Sequence, residues 1–365
     1  MKITAAVARS VHAPLEFETL ELDDVRDDEV RVRLVAAGVC HTDALVRNGV
    51  LPTSLPVVLG HEGAGIVEAI GEGVTAVAVG DHVVLGFNSC GACPQCESGH
   101  PAYCADFPRL NFGGQRVDGT TSLRTDSHPV ASHFFGQSSF ATHANVAARS
   151  VVKVPSTVSL ELLGPLGCGI TTGAGTVLNV LRPESGSSIV IFGTGAVGNA
   201  ALLAAIVAGC STIIMVDVVE KRLELARHLG ATHVINGLHE DAVGIVREIT
   251  GPGAHYAIDT TGNAEVFRQM IDALAPQGSA ALVGAAAPGT EASIDIGAFL
   301  VNSPTVTAVI EGDAIPQTFI PYLVDLYEKG LFPFDQLIKT YPFADINQAF
   351  ADSETGVTIK PVVVF

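Results

Sequence analysis

Residues 189–217 read IVIFGTGAVGNAALLAAIVAGCSTIIMVD. A short β-branched run meets Gly193-Thr194-Gly195-Ala196-Val197-Gly198, an alanine-rich helical segment follows, and a second apolar strand ends on Asp217. In a strand–turn–helix unit of this kind the first glycine makes the tight turn, the second lets a pyrophosphate approach the backbone, and the third packs helix against strand. Unpaired N–H groups at the positive end of the helix then hold the phosphates. Asp217 stands at the end of the second strand, where an acidic side chain binds the adenosine ribose hydroxyls and repels a 2′-phosphate. The stretch therefore predicts an NAD site rather than an NADP site. The rival for so apolar a run is a membrane span. Its four glycines, and the charged and polar residues soon after, favour a buried βα unit instead.

The surrounding pattern extends this unit into a sheet. SIVIFG, TIIMVD, THVIN, HYAIDTTG and SAALVGAA read as strands separated by amphipathic segments such as VEKRLELARHLG and AEVFRQMIDALAPQG, with a sixth strand at TVTAVIE. Strands and helices alternating at this spacing make a parallel, doubly wound sheet of the α/β class. Upstream, residues 162–180, LLGPLGCGITTGAGTVLNV, read as a connecting helix that carries Cys168.

The N-terminal part has another character. KITAAVAR, PLEFETLEL and EVRVRLVAAG alternate apolar and polar positions, GIVEAIGEGV and VGDHVVLGF continue the pattern, and SSFATHANVAARSVVKV returns to it, which predicts a small β-barrel. The tail from Phe319 to Phe365 holds a helix, a Phe/Pro-rich loop and a final strand that returns to this barrel. The chain of 365 residues is too long for one ordinary core. The division expected is a barrel domain over 1–165, completed by 306–365, and a dinucleotide domain over 166–305.

Four of the seven cysteines, Cys90, Cys93, Cys96 and Cys104, crowd into one loop. Four thiolates so spaced can close a tetrahedral zinc site with no open position, a structural arrangement. Redox chemistry at a CxxC would leave the third and fourth cysteines unexplained. Cys40, His61 and Cys168 have the right chemistry for a second, catalytic metal with a position left for water or substrate. Spacing alone does not bring Cys168 beside Cys40, and a free cysteine is often just a small buried hydrophobe. His128, His133 and His143 occur singly and read as surface or satisfied core histidines. From Tyr103 to Gly136 the chain reads as loop.

Composition bounds the function. A net charge of −18 argues against nucleic acid or an anionic membrane as partner. Hydrophobic content of 48% with 16% charged residues describes a well-buried globular protein handling small, neutral or apolar molecules. The first residues, MKITAAVARSVHAPLEFE, carry no sustained apolar run, so a cytoplasmic location is expected.

Taken together, GVCHTD at 38–43, GHEGAG at 60–65, the four-cysteine loop, GPLGCGITTG at 164–173 and GTGAVG at 193–198 resemble the zinc-dependent alcohol dehydrogenases of the medium-chain dehydrogenase/reductase superfamily. The tail from Gly312 to Phe350 resembles in particular the aryl-alcohol and geraniol dehydrogenase branch. The resemblance implies a GroES-like β-barrel catalytic domain beside a Rossmann domain, and NAD with two zinc ions per chain. It implies Cys40, His61 and Cys168 as catalytic zinc ligands, with Glu62 a carboxylate that approaches the metal during ligand exchange. Asp43 would orient the histidine. Thr42 would take the alcohol proton. His41 would contact the pyrophosphate, and Thr172, Val197 and Asp217 the nicotinamide and riboses, with Arg222 and Lys360 as further cofactor contacts. In liver-type relatives a histidine ends the proton relay; Leu45 stands at that position here, so water or His41 would replace it.

The expected activity is oxidation of primary aromatic or allylic alcohols by a homodimer or homotetramer, with a subunit contact near Val306 to Glu311. A glutathione-dependent formaldehyde dehydrogenase is the rival within the superfamily. Its anionic substrate wants a basic pocket, which Arg109 or Arg116 could supply. A non-enzymatic NAD-binding regulator is the rival of a different class, and a zinc-free quinone reductase would lack both cysteine sets.

Overall fold

The computed structural model describes residues 1–126 and 128–365, and its contacts divide the chain into two compact units. The first comprises residues 1–168, 315–330 and 335–365, and the second residues 169–314 and 331–334.

The first unit is built on two sheets. A seven-stranded sheet runs Val151–Lys153, His82–Leu85, Gly63–Ile70, Glu29–Gly38, Lys360–Val364 and Ile338–Pro342, with His143–Ala147 also paired to Glu29–Gly38. A five-stranded sheet runs Val57–Val58, Lys2–Ala8, Glu16–Leu22, Leu123–Arg124 and Pro129–Val130. The alternation in EVRVRLVAAG appears as buried Val30, Val32 and Leu34, which join Val67, Val83, Leu85 and Val146 in one apolar cluster. The tail does return here, because Lys360–Val364 lies antiparallel to Glu29–Gly38 with Val363 opposite Ala37. That register carries Lys360 into the interior. The stretch read as loop from Tyr103 to Gly136 contains a helix, Phe107–Phe112, with buried Phe107, Leu110 and Asn111 on it.

The second unit carries six parallel strands in the order His233–Asn236, Thr212–Asp217, Ser188–Phe192, Ala254–Asp259, Leu274–Leu282 and Thr305–Ala308. Every residue of Ser188–Phe192 is buried, as a strand covered on both faces requires. The apolar run after it folds as the helix Ala196–Val207, and no helix among the described residues is long and apolar enough to cross a membrane. The strand Thr305–Ala308 pairs with Leu274–Leu282, so these contacts divide the chain after Ala314 rather than after residue 305.

The segment read as one connecting helix is broken. Leu160–Leu163 is followed by a 3-10 turn over Gly164–Gly167, Cys168 lies outside helical geometry at φ −147°, and Gly169–Gly175 resumes the helix. Pro165 has no N–H to continue the ladder. Gly167 passes so close to the Leu85 carbonyl that an added Cβ would stand 2.1 Å from the oxygen.

Candidate functional site

The first constellation grows from the start of the helix His41–Arg47. Cys40 is its N-terminal cap, and its backbone N–H donates to Asp43 Oδ2 at 3.1 Å. The same buried carboxylate accepts from Gly60 N–H at 3.0 Å and meets His61 Nδ1 at 3.0 Å, both through Oδ1. One side chain therefore ties together the helix cap, the tight turn before His61 and the imidazole itself. The turn requires glycine: Gly60 has φ +90°, and a Cβ would stand 2.6 Å from the Phe140 nitrogen. Phe135 stacks on the imidazole at 4.5 Å between centroids, and Phe134 meets it edge-on at 5.6 Å. Gln137 closes the cradle, donating to the His61 and Gly86 carbonyls and accepting from Gly63 N–H.

With Nδ1 held by Asp43, Nε2 of His61 is buried and without a hydrogen-bond partner among the described residues. The ligand atoms of Cys40, His61, Glu62 and Cys168 all lie within 4.8 Å of one another. A hydrogen bond with Cys168, with the Lys360 charge adding, holds the Cys40 thiol well below its ordinary range against the effect of burial. Burial pushes His61 down, but the Asp43 carboxylate and the Cys40 thiolate overcome it and hold the imidazole well above its usual pKa. These shifts mark a place where positive charge is wanted between a thiolate and a carboxylate. An orphan imidazole nitrogen and two cysteine sulfurs facing one point fit zinc.

Around this cluster, Lys360 Nζ donates to both Glu62 oxygens at 2.8 and 2.9 Å, so the structure engages this lysine inside the unit rather than presenting it to a cofactor. Thr42 Oγ1 lies 3.8 Å from Cys40 Sγ. His41 is exposed, and Leu45 is half-buried one turn after it.

The second constellation is the cysteine loop. Cys90, Cys93, Cys96 and Cys104 converge within the same 4.8 Å limit, with Sγ–Sγ distances of 4.0 Å for Cys90–Cys96 and for Cys93–Cys104. A zinc–sulfur bond of about 2.3 Å in a tetrahedron sets the sulfurs about 3.8 Å apart. That matches, whereas a disulfide needs about 2.05 Å. Backbone N–H groups of Cys90, Ala92 and Ala105 point at the sulfurs. The Ala105 N–H, with that of Cys96, brings the Cys93 thiol down to about 6. Burial pushes Cys104 up to about 12.

The third lies in the second unit, where the glycine turn fulfils its three roles. Gly193 takes φ +92°, a Cβ on Gly195 would meet nothing within 4 Å, and one on Gly198 would stand 1.8 Å from the Gly193 oxygen. The open face at Gly195, at the start of the helix Ala196–Val207, fits a pyrophosphate. Asp217 Oδ2 accepts from Thr194 N–H and Oγ1, and its Oδ1 from the N–H groups of Val218 and Val219. Arg222 follows on the helix Glu220–Leu229 with its Nε buried and without a partner among the described residues. Thr172 is buried, its hydroxyl 3.4 Å from Glu311 Oε2, and Val197 is half-buried at the start of its helix.

Sequence reasoning passed over Phe135, Gln137, Thr194 and Asn199. Phe135 and Gln137 sit in a stretch with no motif; the only trace was a run of aromatic and small residues. Thr194 and Asn199 lay in plain view as polar residues within an apolar fingerprint.

Two of the lone histidines have partners inside the first unit. His133 Nε2 meets Glu29 Oε1 at 2.9 Å and its Nδ1 meets Ser132 Oγ, while His143 pairs with Glu68. Arg116 is buried and bidentate to Glu29, and Arg109 pairs with Asp106 at the surface.

Comparison with known proteins gives a consistent result. The family described as alcohol dehydrogenase GroES-like domain matches residues 26–156, and that described as zinc-binding dehydrogenase matches residues 196–329. A geraniol dehydrogenase of Castellaniella defragrans is 47% identical, with 99% of this chain and 97% of that protein covered. The crystal structure of a benzyl alcohol dehydrogenase from Acinetobacter calcoaceticus is 50% identical, with a TM-score of 0.98 over 100% of this chain and 99% of that one. A probable S-(hydroxymethyl)glutathione dehydrogenase of Schizosaccharomyces pombe is 37% identical over 98% of this chain and 96% of its own length.

Proposed function

The chain belongs to the zinc-dependent alcohol dehydrogenases of the medium-chain dehydrogenase/reductase superfamily, and from that premise we propose that it oxidises primary aromatic and allylic or terpene alcohols, reversibly, to aldehydes with NAD. The observation that carries the chemistry is the orphan His61 Nε2 converging with Cys40 and Cys168. The substrate class is supported by the half-identical relatives and by Arg116, which is buried and paired bidentately with Glu29. Little is left in Arg116 to receive the carboxylates of a glutathione adduct.

The Lewis acidity that weakens the alcohol O–H bond is what zinc supplies when bound by Cys40, His61 and Cys168, and NAD, when bound, supplies the hydride acceptor. Asp43 fixes the tautomer of His61, keeping Nε2 free to coordinate. Thr42 Oγ1 would take the alcohol proton as its own hydroxyl proton leaves to water or His41, because the Leu45 side chain carries no proton. Lys360, paired with Glu62, would hold that carboxylate beside the cysteine and histidine ligands and restrain it from competing with them for zinc. Gly193, Gly195 and Gly198 would receive the pyrophosphate, Asp217 and Arg222 the adenosine ribose, and Thr172 and Val197 the nicotinamide side. Cys90, Cys93, Cys96 and Cys104 hold a second, structural zinc.

The protein works in the cytoplasm as a homodimer or homotetramer. Support for assembly comes from Thr305–Ala308, which ends the six-stranded order, and from Ile296, Leu300 and Val301 on the helix Ile296–Asn302, which are 81%, 78% and 82% exposed.

The test is the initial rate of NADH formation by zinc-replete protein with benzyl alcohol or geraniol against formaldehyde plus glutathione. Faster turnover of the apolar alcohols is expected. Turnover with the glutathione adduct alone would overturn the substrate assignment.

A further inference from the structure

The glycine turn carries two polar side chains that the fingerprint does not require. Asn199, wholly buried in the second turn of the helix Ala196–Val207, donates through Nδ2 to the Thr194 carbonyl at 2.6 Å and to the Gly195 carbonyl at 3.0 Å. Its Oδ1 is buried without a partner among the described residues. An exchanged amide would set an oxygen against two carbonyls, so the network fixes its orientation. An apolar side chain would avoid the unsatisfied oxygen, which argues that the two donated bonds serve a purpose.

Their effect follows from peptide geometry. The peptide joining Thr194 to Gly195 is planar and trans, so a carbonyl held toward Asn199 turns the Gly195 N–H to the opposite side. That N–H has no acceptor among the described residues, and Gly195 faces open space. The residue ahead of it is tethered as well: Thr194 gives both its N–H, at 2.7 Å, and its hydroxyl, at 2.6 Å, to Asp217 Oδ2. With Val218 and Val219 on Oδ1, the carboxylate orientation is completely specified.

We propose that Asn199 and Thr194 are positioning residues that join the phosphate-binding turn and the ribose-binding carboxylate into one preorganised element, and so set both the affinity for NAD and its preference over NADP. Asn199 aims the Gly195 N–H at the pyrophosphate, and Thr194 holds Asp217 where it meets the ribose hydroxyls and opposes a 2′-phosphate. Preorganisation of this kind raises affinity by sparing the ordering cost on binding. The inference rests on the NAD reading above.

The experiment is a double-mutant cycle on NADH binding, followed by the fluorescence of the bound cofactor, with no alcohol present. Asn199→Leu should weaken NADH about tenfold while kcat at saturating cofactor stays within about twofold. Thr194→Val should lower the NAD-over-NADP ratio of kcat/KM about tenfold, and Thr194→Ser, which keeps the hydroxyl, should restore it. The double variant should bind less weakly than the product of the single effects, because Asn199 holds the carbonyl and Asp217 the hydroxyl of the same residue, Thr194. If Asn199→Leu does not fold, Asn199→Ser, which fits the same space without the amide's reach, is measured for the same loss. Unchanged NADH affinity, a serine variant that behaves like the valine one, or strictly additive effects would each overturn the proposal. Failure of the parent protein to bind NADH at all would overturn the NAD reading itself.

Discussion

Lys360 and Glu62 form a bidentate ion pair in which neither side chain is more than 3% exposed. Burial is the strongest influence on the Glu62 carboxyl and raises its pKa to about 7, even with the lysine pulling it down. A buried pair broken on one side costs about 3–5 kcal/mol, whereas replacing both partners is often neutral. Lys360→Met should therefore lower the unfolding free energy by about 3 kcal/mol, the low end of that range, because Glu62 can escape by taking a proton. The double variant with Glu62→Gln should recover most of the loss. Urea unfolding of the three proteins decides the matter, and a single variant within about 1 kcal/mol of the parent would show that the pair contributes little.

Metal content separates the two cysteine sets. The parent protein should hold about two zinc ions per chain by elemental analysis, one of each kind. Cys93→Ser with Cys96→Ser should leave about one and lower thermal stability, since the loop is closed on that site. Cys40→Ser with Cys168→Ser should also leave about one, with the fold kept and alcohol oxidation lost. Stoichiometric retention of both ions in either variant would remove those sulfurs from the ligand set.

The sign of acid sensitivity follows from Glu29. Burial pushes its carboxyl up, but hydrogen bonds and charge from His133 and Arg116 outweigh burial and bring it down to about 2. A carboxylate depressed on folding contributes stability that is whole above its ordinary pKa near 4.5 and is lost as pH falls toward 2. Allowing for solvent screening, the loss is roughly 2 kcal/mol across that window. Glu29→Gln should be less stable than the parent at pH 7, with Arg116 left buried and only the 3.7 Å contact to Asp23 to balance its charge. Its melting temperature should also fall less between pH 4.5 and pH 3. A variant that tracks the parent over that range would place the acid-sensitive group elsewhere.

What could be read from the sequence was whatever local chemistry encodes. Gly193, Gly195 and Gly198 announce a turn because each meets a different steric demand, and all three demands appear in the structure. The cysteine loop is equally local, since four ligands within fifteen residues need no knowledge of the fold. Cys168 lies more than a hundred residues from His61, and only the break at Gly164–Cys168 and the packing of Gly167 on Leu85 bring its sulfur there. Spacing carries no record of such packing. The Phe135 ring on His61 and the Gln137 strap were hidden for the same reason, as their stretch adopts positive φ at His133, Phe135 and Ser138 with no glycine at those positions to signal it. Lys360 shows the converse: the family resemblance implied a cofactor contact there, and strand register carries its side chain inward onto Glu62.

Assembly gives the last prediction. Leu300 and Val301 stand 78% and 82% exposed on a short helix just before the strand that ends the parallel order. Burying each is worth about 1.5–3 kcal/mol, and a two-fold contact counts each residue twice. The pair would then contribute roughly 6–12 kcal/mol gross to a symmetric interface, enough to decide association at micromolar concentration. Leu300→Glu with Val301→Glu removes that term and sets like charges against each other across the two-fold axis. Sedimentation velocity should show the double variant as a monomer where the parent is a dimer, or as a dimer where the parent is a tetramer. Zinc content should be unchanged, because neither residue belongs to either metal cluster. An unaltered sedimentation coefficient would mean that this helix is not the contact.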